Sequence, residues 1–215
     1  MTPVYQKIQD LPSEIPVFPL ARAILLPDVV LPLNIFEPRY LAMVDFALSK
    51  DRIIGMIQPR PDGNTLFETG CAGRIISYNE TEDGRYLITL KGVCRFKIMR
   101  ENAQDKGGFR KVTPDWSGFD ADLVPPPQEN ICRDAMLETL RAYLHKMDML
   151  CDQWETMQTI SCDKLTATLS MICPFSVTEK QMLLEAKDLE SRMKLLKAFF
   201  EEAISQKTTG CASCH

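Results

Sequence analysis

The sequence predicts an α+β chain, with a β-rich unit over residues 15–124 and an antiparallel helical bundle over 128–206. A polar leader (1–14) precedes the β-rich unit and a flexible tail (207–215) follows the bundle. Three observations carry this prediction. Short apolar runs from Ile15 onward are broken by Pro19, Pro27 and Pro32, which excludes a continuous helix, because proline lacks an N–H and fixes φ. Asp83-Gly84 sits between two alternating runs, the signature of a β-hairpin. Beyond Pro125-Pro126-Pro127 the apolar period changes from about 2 to about 3.6 residues, from strands to helices.

Taken in order, residues 1–14 lack periodicity and read as a leader that lies over the surface or joins an edge. Ile-Pro-Val-Phe-Pro-Leu from Ile15, Ala-Ile-Leu-Leu-Pro from Ala23 and Val-Val-Leu-Pro-Leu from Val29 each read as a strand, buried on both faces or turning a barrel corner. Pro38 suits the first position of a helix, with Glu37 at its positive end, and Tyr40, Leu41, Val44, Ala47 and Leu48 form one apolar stripe up to Lys50. Arg52–Gln58 is a strand. Arg74–Glu80 and Arg85–Leu90 form the hairpin, Gly92 breaks the chain, and Val93–Met99 alternates with Cys94, Phe96 and Ile98 on its apolar side. A last strand covers Phe109–Asp115.

Four helices are expected in the second unit. The first spans 129–157 with Leu137, Leu140, Leu144, Met147 and Cys151 on one face. Ser161 caps the second, which carries Leu165, Leu169 and Ile172 and ends before Pro174. Ser176-Val-Thr-Glu179 spells a capping box for the third, and Asp188 caps the fourth, which runs to about Ser205. An antiparallel bundle packed beside the β-rich unit is the economical arrangement.

Composition narrows function. With 215 residues and 45% apolar content the chain builds a real core. A net charge of -4 argues against a large nucleic-acid footprint, which needs clustered Lys and Arg. No charge-free apolar window is long enough for a membrane span, and Lys7, Asp10 and Glu14 occupy the place of a signal peptide's apolar region, so a cytoplasmic protein is expected. Six of the eight cysteines lie in apolar contexts without shared spacing and read as buried free thiols.

Few residues spell chemistry. Glu37 and Arg39 beside Tyr40 are read as satisfying backbone groups and each other. Arg74, Arg85 and Arg95 are weighed as a patch for acidic partners and read as solvated strand positions. Ser161-Cys-Asp-Lys164 has the S-x-x-K spacing of penicillin-binding enzymes without their other elements, so a helix cap explains the serine. Cys211-Ala-Ser-Cys214-His215 has the spacing of a haem-attachment, zinc or redox motif; haem would need export and a distal ligand, His145 or a methionine, and zinc would need a fourth donor from elsewhere or from a second subunit. No cofactor is assigned to it. Eleven methionines, among them Met136, Met147, Met149, Met157, Met171, Met182 and Met193, combine core filling with adaptable apolar surface.

Ordered motifs across about 190 residues carry a resemblance: Phe18-Pro-Leu20, Leu25-Leu-Pro27, Leu31-Pro-Leu33, Ile35-Phe-Glu-Pro-Arg-Tyr40, Gly84-Arg-Tyr86, Gly92 with Arg95-Phe96, and Glu179-Lys-Gln181 with Leu183-Leu-Glu185. The chain resembles the N-terminal substrate-recognition domain of ATP-dependent Lon proteases, in a stand-alone form. The resemblance implies a PUA-like pseudo-barrel followed by helices, and the binding of unfolded or marked polypeptides for a Lon-type protease. The resemblance also marks a departure: a full Lon protease continues into an ATPase module and a Ser-Lys peptidase, whereas this chain stops at residue 215 with no phosphate-loop spelling, so neither ATP hydrolysis nor peptide cleavage is expected. The expectation is a non-enzymatic adaptor or holdase-like module with no catalytic, metal or cofactor residues assigned, capturing apolar segments in a groove between the two units. Two alternatives stand: an RNA-binding PUA-like module, and a metal- or redox-linked protein acting through the tail.

Overall fold

The computed structural model describes residues 5–103, 107–124, 133–148 and 154–209. They divide into two compact units, one comprising 1–126 with 174–184 and the other 127–173 with 185–215. The tail motif Cys211, Cys214 and His215 lies outside the described residues, as do Cys132, Met149 and Cys151.

Six strands build the first unit: β1 (Ile15–Pro19), β2 (Val30–Ile35), β3 (Ile53–Ile57), β4 (Thr69–Glu80), β5 (Tyr86–Glu101) and β6 (Arg110–Asp115). Their order is β2-β5-β4-β3-β1-β6, and β6 also pairs with β5. The ring β5-β4-β3-β1-β6 is therefore closed, with every neighbouring pair antiparallel except β1 and β3. Closure removes the edges of those strands where they pair around the ring. Inside lie Ile15, Val17, Ile53, Ile57, Ala72, Cys94, Phe96, Val112 and Trp116. The Phe96 and Trp116 rings meet edge to face at 5.7 Å. Leu11 joins this core, so the leader is anchored rather than merely draped.

Two sequence expectations change here. Ala23–Leu26 is not a strand, although Ile24, Leu25 and Leu26 are almost wholly buried. Positive φ at Arg22 and Asp28 bends the chain on either side, and its end is tied to β5 by Asp28 N–H to Gly92 O and Gly92 N–H to Val29 O, at 3.0 and 2.8 Å. Gly92, in turn, does not end a strand. β5 runs through it, with an irregular register against Ala72 and Gly73. A Cβ at Gly92 would lie 2.0 Å from the Leu26 carbonyl oxygen, so glycine is needed for the close approach of the buried segment.

The β4–β5 hairpin forms as expected. Thr81 N–H donates to Arg85 O and Gly84 N–H to Thr81 O, each at 2.9 Å, with Gly84 at φ 79°. Helix α1 (Pro38–Leu48) starts at Pro38 and buries Tyr40, Met43, Val44 and Ala47, with the Phe18 and Tyr40 rings 4.4 Å apart.

A further helix belongs to this unit although the sequence places it in the bundle. α5 (Val177–Glu185) opens with the expected capping box: Ser176 N–H donates to Glu179 Oε2 at 2.8 Å and Glu179 N–H to Ser176 Oγ at 3.2 Å. Its docking is polar. Gln181 Nε2 donates to Thr69 O at 3.1 Å, and Gln58 Nε2 donates to Gln181 Oε1 and Val177 O at 3.1 and 3.0 Å.

The second unit holds α2 (Arg133–Lys146), α3 (Trp154–Thr159), α4 (Cys162–Ile172) and α6 (Leu189–Thr209). The helix expected over 129–157 is interrupted: Asp148 takes φ 55°, and the Met147 and Asp148 N–H groups close the end of α2 on Tyr143 O and His145 O. The buried stripe of α2 is Met136, Leu140 and Tyr143, shifted from the expected one, and the Tyr143 and Phe200 rings sit 4.6 Å apart. In α4, Leu165 and Leu169 are buried as expected while Ile172 is 61% exposed. Asp188 Oδ1 accepts from Ser191 N–H at 2.8 Å, capping α6.

Candidate functional site

Beyond the closed ring, β2 and the distal parts of β4 and β5 form a three-stranded platform. Strand β3 pairs with β4 only over Cys71–Arg74, and β2 pairs with β5 over Tyr86–Lys91, so β2 is an edge. A register irregularity between Ile75 and Ser77 marks where β4 leaves the ring, and residues 76–80 are all exposed.

Cross-strand register defines its two faces. On one face Leu33, Ile88 and Tyr78 form a row, next to Ile35, Tyr86 and Glu80. There the Tyr78 and Tyr86 rings meet at 5.0 Å. The Tyr86 hydroxyl is pushed well above its ordinary pKa, first by desolvation and then by hydrogen bonding with Tyr78 and the nearby Asp45 carboxylate, so it stays protonated. The opposite face carries the rows Asn34–Leu87–Asn79 and Pro32–Thr89–Ser77. These six residues, with Leu33 and Ile88 between them, line a shallow groove of about 390 Å³. Large apolar side chains are exposed around the platform: Val30 51%, Phe36 63%, Ile76 48%, Tyr78 41% and Leu87 43%.

Residues singled out by their chemistry fall elsewhere. Glu37 and Arg39 pair with each other at 2.8 Å on the surface, and Arg39 lies 4.5 Å from the Tyr40 ring centroid. The three strand arginines do not converge on one patch. Arg85 pairs with Asp83 at 2.8 Å beside the hairpin turn, and Arg74 donates to the Tyr5 hydroxyl and Asp51 O. Arg95 corrects the solvated reading, because it is buried. Its Nε and Nη2 donate to both Asp122 oxygens at 2.8 Å, its Nη1 donates to Leu184 O at 3.2 Å, and Phe119 covers it at 5.0 Å. Burial alone would lower the guanidinium's pKa, but Asp122 outweighs it and holds the group charged. This is the anchor of a strand to a turn and a helix.

Ser161 occupies the capping position of α4, yet its hydroxyl makes no capping hydrogen bond. Cys71, Cys94, Cys162 and Cys173 are buried thiols. Desolvation holds Cys71 well above the ordinary thiol pKa and pushes Cys94 up to about 12, which keeps both unreactive. Met43, Met56, Met136 and Met193 fill cores, whereas Met99 and Met182 are exposed. Among the described residues there is no group of His, Cys, Asp and Glu that could hold a metal ion, and no helix long and apolar enough to cross a membrane.

Sequence reasoning missed the platform. Alternation in Val30–Ile35 and Ile76–Glu80 was a usable signal, but the pairing of β2 beside the hairpin was not.

A family model described as the ATP-dependent protease La (LON) substrate-binding domain matches residues 14–199. The chain is 24% identical over 200 residues to Lon protease 2 of Myxococcus xanthus, covering 87% of this chain and 23% of the relative. It is 21% identical over 199 residues to the Lon protease of Escherichia coli strain K12, covering 89% and 25%. The chain thus spans about a quarter of the length of these curated relatives. Among solved structures, the Lon N-terminal domain protein of Xanthomonas campestris superposes with a TM-score of 0.63 at 21% identity, covering 86% of this chain and 98% of that one. The N terminal domain of Mycobacterium avium complex Lon protease gives 0.64 at 17% identity, covering 88% and 98%. These two likenesses show the fold. With the family model spanning most of its length, the chain belongs to the LON substrate-binding domain family.

Proposed function

We propose that this domain binds unfolded polypeptide segments through the β2–β5–β4 platform, as an adaptor or holdase-like factor in protein quality control that serves a Lon-type protease. One observation carries the reading: Val30, Phe36, Ile76, Tyr78 and Leu87, all at least 41% exposed, fall within β2, its exit and the adjoining hairpin strands. Exposed apolar side chains scattered singly need no explanation; five within one three-stranded substructure, Leu87 on its groove face and Tyr78 on the other, support a binding role for that substructure. Each is already about half covered, so burying the rest would contribute roughly half of the ~1.5–3 kcal/mol of a full side-chain burial, offset by the cost of ordering the captured chain. The outcome is reversible binding, with a dissociation constant on the order of micromolar or weaker.

Fluorescence anisotropy with labelled reduced, carboxymethylated α-lactalbumin tests this. The domain is expected to bind that unfolded chain and not the native protein, and Phe36→Ser with Leu87→Ser is expected to weaken binding about fivefold to tenfold. Equal binding of folded and unfolded forms, or none above an inert control protein, would overturn the proposal. Co-sedimentation with a full-length Lon protease tests the adaptor role.

A further inference from the structure

We infer that the groove face of the platform reads the main chain of an extended, uncharged polypeptide segment. The inference rests on the polypeptide-binding reading above and names what the site recognises. Its floor is Leu87 and Thr89 on β5, flanked by Pro32 and Asn34 on β2 and by Ser77 and Asn79 on β4.

Four of these six side chains are amides or hydroxyls, and none of the four makes a side-chain hydrogen bond among the described residues. They are not used to hold the fold. An asparagine amide offers both donors and an acceptor, so it can satisfy a peptide C=O and a peptide N–H together, whatever the side chains of the bound segment. Ser77 and Asn79 lie two positions apart on one strand, a separation of about 6.8 Å, which is also the two-residue repeat of an extended segment. A chain laid along β4 and β5 therefore brings peptide groups of the same orientation to successive polar side chains. Leu87 and Pro32 supply apolar contact between them.

Charge complementarity sets the occupant. No residue lining the groove is charged. Lys91 and Asp28 are paired at 2.6 Å near the Pro32 row, and Arg85 and Asp83 at 2.8 Å beside the hairpin turn. An ionised side chain entering the groove would lose water and find no counter-ion, whereas an uncharged segment loses little.

The test uses the full chain and a labelled, end-blocked ten-residue peptide of valine, threonine, glutamine and leucine, read by anisotropy. The double substitution Asn34→Ala with Asn79→Ala is expected to weaken binding about tenfold. Alternate N-methylation of the peptide is expected to weaken binding to the unaltered protein to a similar extent and to matter much less to the double variant. Introducing lysine or glutamate at alternate positions should also weaken binding. Unchanged affinity of the double variant, indifference to N-methylation, or preference for a neutral oligosaccharide such as maltoheptaose would overturn the inference. Carboxymethylated α-lactalbumin separates the two proposals. If the unaltered protein does not bind it, both fail; if it binds the double variant as tightly as the unaltered protein, only the main-chain reading fails. The N-methylation arm needs no variant, so it stands however the variant folds.

Discussion

At the residue scale, Arg95 shows how a strand position of unremarkable spelling can be a buried, tightly held charge. It is 6% exposed and its partner Asp122 8%. The pair is bidentate, and Asp122 Oδ2 also accepts the Arg95 backbone N–H at 2.9 Å. Removing one member leaves the other charged and buried, which costs about 3–5 kcal/mol, more than the intact pair contributes over an apolar replacement. Asp122→Ala is therefore expected to lower stability by about 3 kcal/mol, read as a shift of the urea midpoint, while Arg95→Met with Asp122→Leu is expected to cost less than either single change. A loss below about 1 kcal/mol for Asp122→Ala would show that water reaches the pair. Alternation placed Arg95 opposite Cys94 and Phe96 and hence toward solvent. That inference fails because the residues covering it, Phe119, Asp122 and Leu184, come from outside the strand.

At the element scale, α5 is local in its making and distant in its placement. The capping box is legible because Ser176 and Glu179 are three residues apart and need no other part of the chain. Docking is not legible, since Gln58 and Gln181 meet across 123 positions. Gln181→Leu would remove one acceptor from the Gln58 amide, which keeps Val177 O, and the side-chain donor from the Thr69 carbonyl, at about 1–3 kcal/mol for a group left unsatisfied. We expect a loss of about 2 kcal/mol with faster hydrogen exchange across Val177–Glu185, and unchanged exchange there would refute the role given to the network. The Ala23–Leu26 segment teaches the same lesson in reverse. Its apolar spelling reads as a strand, yet it is buried as an irregular link because Gly92 lets its backbone come close. Periodicity reports burial there, not hydrogen-bonding pattern.

At the scale of the whole molecule, two units with separate cores share a chain that crosses between them more than once. The chain's two tryptophans divide between them, Trp116 buried in the first unit and Trp154 half-buried in the second. Single-tryptophan variants made with Trp154→Phe or Trp116→Phe are expected to give distinct urea transitions, with Trp116 reporting the higher midpoint because the closed sheet must open as a whole. Coincident transitions would mean that the units unfold as one. The sequence by itself determined the α+β class, the hairpin, the helix starts at Pro38, Ser176 and Asp188, and the family, because turn chemistry, capping and apolar period act over a few residues. Only the tertiary structure decided that the sheet closes on itself, that α5 returns to it, and that β2 lies beside the hairpin to leave Asn34, Leu87 and Asn79 in one open row. Those outcomes depend on strand pairing and burial between residues far apart in the chain, where many registers satisfy the same local pattern and packing selects one.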